Sequence, residues 1–328
     1  MHEPVYEGDL CYAVAFDDSV YCIWQAEILL YNFQKLGIDN QLWFPILYTN
    51  RILGPSDAAK RLAKLHSNVR FYYNDFPNTR WGEYKAVCKT YGVAKLLEEI
   101  PCLGGCLFLM DHDIMFTRPI AFTTRMIQDD LIYGSETASY LSFNHFHRDR
   151  DVSLTHMTNL TNIVGPDLVD AYKKAEDKHS LVGAQYLFKQ VDAAFFRKIS
   201  IDAWNMHEYA LKIQAEGNSM QIWVAEMQSV LLNSIQRVGV DKVKESPILD
   251  FTWATNDINS YQKHAIVHFA GVTSGTGQFN KQNYIDKPPW AYTDFNYITN
   301  TKTCAQKWLE ECMEYAWLRY GIRMIIPV

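Results

Sequence analysis

Four short apolar runs punctuate the first third of the chain: CYAVAF (Cys11–Phe16), LWFPILY (Leu42–Tyr48), VRFYY (Val69–Tyr73) and CLFLM (Cys106–Met110). The stretches between them carry helical period. Ile23, Ala26, Leu30 and Phe33 recur on one helix face, with Asp18 or Ser19 ahead as a cap and Gly37 behind as a stop, which predicts a helix from about Val20 to Leu36. A short helix is expected after Ser56 and a longer one over Glu83–Glu99. Strand, helix, strand, helix at this pitch leaves few choices, because helical crossovers return the chain in the same direction and pack on the sheet they connect. The fold class expected is therefore α/β, a mostly parallel central sheet flanked by helices. Pro45 predicts an edge or a bulge in its strand.

The second half is less regular. LIYGS (Leu131–Ser135) fits another strand, and Tyr140–Asp151, polar and rich in His and Arg, a loop. Helices are expected over Pro166–Ala175, Leu181–Gln190 and Met220–Asn233, a strand at AIVHFA (Ala265–Ala270), and an amphipathic helix over Thr303–Tyr320. With no internal repeat, low-complexity tract or linker-like shift, one domain over 1–328 is the simplest organisation.

Composition narrows the function classes. A chain of 328 residues with 48% hydrophobic content can bury a substantial core, and a formal charge of -6 gives no field suited to a nucleic-acid duplex. Seven cysteines, an odd number without zinc-type spacing, are expected as reduced thiols. The N-terminus has no basic segment followed by an apolar one, and no run approaches the roughly 20 apolar residues of a membrane span, so a cytoplasmic protein is expected.

The fourth apolar run ends abruptly, in CLFLMDHDIMFTRPI. In an extended segment Asp111 and Asp113 point to one side and His112 to the other. Two carboxylates hemmed in by Leu109, Met110, Ile114 and Met115 repel each other and resist desolvation unless a cation lies between them. An arbitrary D-x-D is more often a hydrated turn; here the apolar surroundings and the α/β context favour a site for a hard divalent cation, beyond the carboxyl end of a strand where such sheets bind ligands. Lys85 and Lys89 stand one helical turn apart, as a ligand-binding pair or a solvated face. Asp192 and Glu226 are charges amid apolar residues and thus candidates for acid–base work, Glu226 equally a helix charge paired with a nearby cation. Neither G-x-S-x-G nor G-x-x-x-x-G-K-[ST] occurs.

LFLMDHDIMFTRPI resembles the D-x-D segment of nucleotide-sugar-dependent glycosyltransferases of the GT-A fold, and the likeness runs in order through the first strand and helix, the lysine-bearing helix, WVAEM (Trp223–Met227) and the late histidine of IVHFAG. Trp24-Gln25, the Arg-Pro after D-x-D and WVAEM look most like plant peptidyl hydroxyproline and serine glycosyltransferases and those of large algal viruses (chloroviruses), which would place a virus-encoded enzyme in a host cytoplasm. The resemblance implies a sugar moved from a UDP-sugar to a hydroxyl of a glycan or glycoprotein, with Mn²⁺ or Mg²⁺ held by Asp111, Asp113 and His268 and stabilising the leaving diphosphate. It implies a nucleotide-sugar half over about residues 1–135 and an acceptor half over about 136–328. Donor contacts would come from Ala15, Phe16 and Asp17 at the end of the first strand, from Lys85, Lys89 and His112, and from Gly271. In one retaining family the histidine begins H-x-x-G-x-x-K-P-W; His268 and Gly271 match, Ser274 replaces the lysine, and Lys281 or Lys287 is left to meet the diphosphate. If configuration inverts, Asp192 or Glu226 takes the acceptor proton; if it is retained, Gln185 or Asp192 faces the anomeric carbon.

Two rivals stand beside this reading. A D-x-D phosphatase of the haloacid-dehalogenase type carries its motif on the first strand with Thr or Val fifth, where this chain has Met115. A non-catalytic nucleotide- or sugar-binding protein could share the same metal site.

Overall fold

The computed structural model describes residues 9–78, 80–270, 279–292 and 302–322. Two short strands, β1 (Cys11–Ala13) and β2 (Phe16–Asp17), lead into helix α1 (Val20–Leu36), which Ser19 caps by accepting the Cys22 N–H and Gly37 ends in the left-handed region. There follow β3 (Leu42–Tyr48), α2 (Asp57–Leu65), β4 (Val69–Tyr73), α3 (Val87–Glu99), β5 (Cys106–Leu109) and β6 (Ile114–Phe116). The second half contributes α4 (Thr124–Gln128), β7 (Ile132–Glu136), α5 (Ala138–Leu141), α6 (Leu154–Val164), α7 (Leu168–Asp177), β8 (Val182–Lys189), α8 (Ala193–Ala215), α9 (Ala225–Val238), β9 (Val243–Glu245), β10 (Phe251–Trp253), β11 (Ile266–His268) and α10 (Ala305–Tyr320). No helix among the described residues is long and apolar enough to cross a membrane.

The central sheet is mostly parallel, as expected. β1 pairs β3 and β5 in parallel, β3 pairs β2 and β4 in parallel, and β7 pairs β9 in parallel; β8, lying between β5 and β7, runs against both. A smaller sheet joins β10, β11 and β6. Pro45 lies inside the sheet, not at an edge: β4 pairs Phe44 to Tyr48 on one side, while on the other the neighbouring chain is broken between β1, opposite Leu42 and Trp43, and β2, opposite Ile46 and Leu47. The gap spares the ladder the N–H that proline lacks.

Three further expectations fail: Tyr140–Asp151, expected as a loop, instead continues the end of α5 into a short π-helical turn over His145–Asp149, with Phe146 buried in the core. Leu181–Gln190, expected as a helix, is strand β8; Val182 to Phe188 are all buried, so no alternation marks the strand and its length alone is ambiguous. The 23-residue α8 that follows was not foreseen. Expected as the start of a helix, Glu83–Ala86 instead forms a tight turn ahead of α3, so Lys85 stands outside the helix that carries Lys89.

Alternation along β1 and β5 builds a core on each face of the sheet. Cys11, Ala13, Leu107 and Leu109 meet α3, α8 and α9, while Tyr12, Cys106 and Phe108 meet α1 and α2. Helix α3 lies so close to the sheet that a Cβ on Gly92 would sit 2.6 Å from the Ala15 Cβ and 3.4 Å from the Pro45 carbonyl oxygen. Gly92→Ala should therefore destabilise the protein by roughly 1–3 kcal/mol through overpacking, although alanine is the better helix former. A urea titration measures it, and an unchanged or raised midpoint would refute the close approach.

Candidate functional site

Because β1 and β5 are parallel neighbours, their carboxyl ends open on the same side, bringing Asp17 and Asp111 to one edge of the sheet. After β5, the Met110 N–H still reaches the Ala13 carbonyl at 3.2 Å, and Asp-His-Asp then carries the chain across to β6 in the smaller sheet. There β11 runs antiparallel to β6 with His268 opposite Ile114, and the Phe269 N–H binds the Asp113 carbonyl at 2.8 Å. The register sets His268 beside both aspartates, and ligand atoms of Asp111, Asp113 and His268 all lie within 4.8 Å of one another. Trp253, paired with His268 in the sheet, stacks on the imidazole at 5.3 Å and 19°, and Phe251 meets its edge.

Each carboxylate is divided between a lysine and the histidine. Lys89 Nζ lies 3.0 Å from Asp111 Oδ1, while Asp111 Oδ2 is 3.6 Å from His268 Nε2. Lys281 Nζ pairs with Asp113 Oδ2, while Asp113 Oδ1 is 3.3 Å from the same Nε2. Both lysines are buried, 7% and 5% exposed, so these pairs work in a poorly screened medium. Burial alone would raise the Asp113 carboxyl, but Lys281 and His268 hold it well below the ordinary range. The atoms left facing one another, two carboxylate oxygens and one imidazole nitrogen, suit a hard or borderline divalent cation such as Mg²⁺ or Mn²⁺.

Lys89 also donates to the Ala184 carbonyl at 3.0 Å and stands 3.9 Å from Glu226. Burial, reinforced by Asp111 and opposed by Lys89, pushes the Glu226 carboxyl up to about 7. Burial likewise lowers His112, whose Nε2 has no hydrogen-bond partner among the described residues, so its ring is a neutral wall at pH 7.

A cleft of about 370 Å³ opens over this group, lined among others by Ala15, Phe16, Asp17, Tyr21, Lys85, Lys89, Asp111, His112 and Glu226. A second hollow of about 500 Å³ adjoins it through Asp17 and reaches Trp81, Thr49 and Ser56. Asp17 is held by Lys85 at 2.5 Å, Ser19 and Cys22; despite the opposing effect of burial its carboxyl stays below the ordinary range.

The structure thus gathers Asp111, Asp113, His268, Lys89, Lys281 and Glu226, with Ala15, Phe16, Asp17, Lys85 and His112 along the cleft. It does not bring Asp192 there. Asp192 is exposed and caps α8, accepting the Phe195 N–H at 2.8 Å, beyond the end of β8 that pairs with the start of β5 and hence at the opposite edge of the sheet from Asp111. Its apolar neighbours belong to the helix it starts. Lys287 is exposed, and of the two candidate lysines it is Lys281 that reaches the carboxylates. Gln185 is buried in β8, its Oε1 accepting from Ser135 at 2.6 Å and its Nε2 unpaired among the described residues. Gly271 lies outside the described residues. Sequence reasoning missed Tyr21, over whose ring Lys281 sits, and Trp253 behind the histidine; both look like core aromatics in one dimension.

Two outcomes follow from these roles. Asp192→Ala should cost about 1 kcal/mol, as loss of a helix cap does, and leave ligand binding intact; a binding defect in a folded variant would return Asp192 to the site. For Glu226, a folded-state pKa near 7 against an ordinary 4.5 means the folded protein keeps a proton the unfolded chain has lost. Stability should fall as pH rises between those values and level off above, by up to about 3 kcal/mol. Glu226→Gln should flatten that fall, so its urea midpoint relative to the parent rises between pH 5 and pH 8; parallel profiles would show that Glu226 is not buried as described.

Fold and site together define an α/β protein in which two carboxylates and one imidazole converge at the carboxyl ends of its sheet, a donor set that could hold a metal ion. No protein-family model matches the sequence and no curated protein matches it. Among solved structures, the apo form of WbbM, a bifunctional glycosyltransferase, aligns over 99% of this chain at 14% identity and a TM-score of 0.44, and the match spans only 53% of WbbM. An active-site mutant of LgtC aligns over 93% of this chain and 95% of its own at 15% identity and a TM-score of 0.44, and apo mouse xyloside xylosyltransferase 1 over 80% and 98% at 9% and 0.37. At that level of likeness the chemistry has to be read from the chain's own residues.

Proposed function

We propose that the protein is a metal-dependent glycosyltransferase that moves a sugar from a UDP-sugar to a hydroxyl of a glycan or glycoprotein. The observation that carries the reading is the convergence of Asp111, Asp113 and His268, flanked by buried Lys89 and Lys281, beside clefts that extend along the sheet edge to Asp17. Two hollows in sequence, one touching the cation site and one leading away from it, suit a ligand with a charged diphosphate at one end and a base at the other.

A bound Mn²⁺ or Mg²⁺ would supply Lewis-acid stabilisation of the departing diphosphate. The chain's own residues do the rest. Asp111, Asp113 and His268 would hold the ion. Lys281, on the far oxygen of Asp113, is positioned to share a diphosphate's negative charge, and Lys85 on Asp17 to do so further along the cleft. Trp253 and Phe251 fix the imidazole plane, so the ligand atoms are oriented in advance. Glu226, in the cleft wall with a carboxyl near 7, is the group suited to take the acceptor's proton, because a base works best when its pKa lies close to the working pH.

Calorimetric titration of UDP tests this without knowledge of the acceptor. Binding should require Mn²⁺ or Mg²⁺, disappear with EDTA and weaken at least roughly tenfold in Asp113→Asn, the scale of a damaged metal site. Lys281→Ala should weaken UDP by roughly tenfold while metal binding persists, as expected for one lost charge-assisted bond. A protein that binds neither UDP nor GDP with metal present would overturn the assignment.

A further inference from the structure

Beyond Trp253, which stacks on His268, three aromatic rings surround a hollow of about 300 Å³, lined by Tyr140, Trp223, Trp253, Ala254, Thr255 and Ala270. We propose that this hollow is the acceptor subsite of the transferase read above, and that it seats one neutral sugar ring by stacking.

Continuity with the cation site is the first support. Trp253 forms one wall of the hollow and stacks directly on His268, and the Asp111 carboxylate lies near enough to Tyr140 to add to what burial does in raising its hydroxyl. A molecule seated here is therefore one aromatic ring away from the metal ligands.

The lining is the second support. None of its six residues is ionisable at neutral pH; the side-chain polar groups are the Tyr140 and Thr255 hydroxyls and the indole N–H groups of Trp223 and Trp253. Such a surface gives an anionic acceptor no counter-charge and leaves a cation only the ring faces, whereas the C–H face of a pyranose meets the negative face of an aromatic ring and its hydroxyls meet polar hydrogens and oxygens at the edges. Tyr140 stands 5.7 Å from Trp223 at 33° and 6.2 Å from Trp253 at 59°, so the rings form inclined walls. The volume is at the low end of the roughly 300–1,000 Å³ of small-ligand sites, which suits one ring better than a chain of them.

Trp223 is the third. Its ring is 52% exposed, yet its backbone is pinned: its carbonyl accepts the Tyr84 hydroxyl at 3.0 Å, and that hydroxyl in turn accepts the Glu226 N–H at 2.7 Å. An exposed indole on a fixed backbone offers a ready surface at little entropic cost. The same link ties the stacking platform to Glu226, the residue assigned the acceptor's proton.

The proposal rests on the transferase reading but is tested apart from it. Saturation-transfer NMR would be run with the methyl glycosides of glucose, galactose, mannose, xylose and fucose, with choline as the competing aromatic-cage ligand, in EDTA. At least one glycoside should receive saturation through its ring C–H face, and Trp223→Ala and Tyr140→Leu should each weaken that binding roughly five- to tenfold, the scale of one lost aromatic contact. UDP with Mn²⁺ should bind the variants as it binds the parent. No transfer to any glycoside, or transfer to choline alone, overturns the subsite whether or not UDP binds; loss of UDP binding in the parent overturns the transferase reading whether or not glycosides bind.

Discussion

Everything at the candidate site depends on dividing two neighbouring carboxylates, half-buried Asp111 and buried Asp113, between two lysines and one histidine. Asp111 and Asp113 sit side by side against the interior only with help, since partial desolvation and mutual repulsion both oppose it. Lys89 and Lys281 offset that cost through one oxygen of each carboxylate. The other two oxygens remain turned towards His268. The charges thereby hold the site together without consuming the atoms that a cation would use.

The same arrangement couples distant parts of the chain. Lys89 comes from α3, His268 from β11 and Lys281 from a segment that follows it, and each contributes a contact to the paired carboxylates. Removing one partner from such a group strands a buried charge, typically at about 3–5 kcal/mol, so folding and ligand-binding geometry are enforced by the same contacts. Glu226 shows the limit of the arrangement. It has only a distant share of Lys89, at 3.9 Å, and its carboxyl accordingly drifts up to about 7. The least well paired carboxyl in the site is thus the one able to exchange a proton near neutral pH.

Much of this was legible in one dimension. Strand-ending apolar runs placed Asp17 and Asp111 at like ends of parallel strands, because a period of two and a period near 3.6 survive in the residue order. The pairing of the aspartates around His112 called for positive charge beside them, because apolar flanks are visible as neighbours, and the fold sets Lys89, Lys281 and His268 there. Where the pattern was silent, the reading failed. Strand β8 is buried on both faces and shows no period, and Asp192 was surrounded by apolar residues that turned out to be the buried side of the helix it caps. Lys281 and Lys287 were indistinguishable by spacing; only the fold buries one of them against Asp113.

Sequence alone therefore determined the layered α/β class and the two aspartates, since both are written in local periodicity and near-neighbour chemistry. The resemblance already implied His268 and Lys89; tertiary structure decided that Lys281 and not Lys287 joins them, that the sheet crossing at Asp-His-Asp brings β11 alongside, and that Trp253 faces both the imidazole and an aromatic hollow. The choice of Lys281 rests on a contact 168 positions apart, with Asp113, and no local pattern encodes which surfaces will meet when the apolar faces pack.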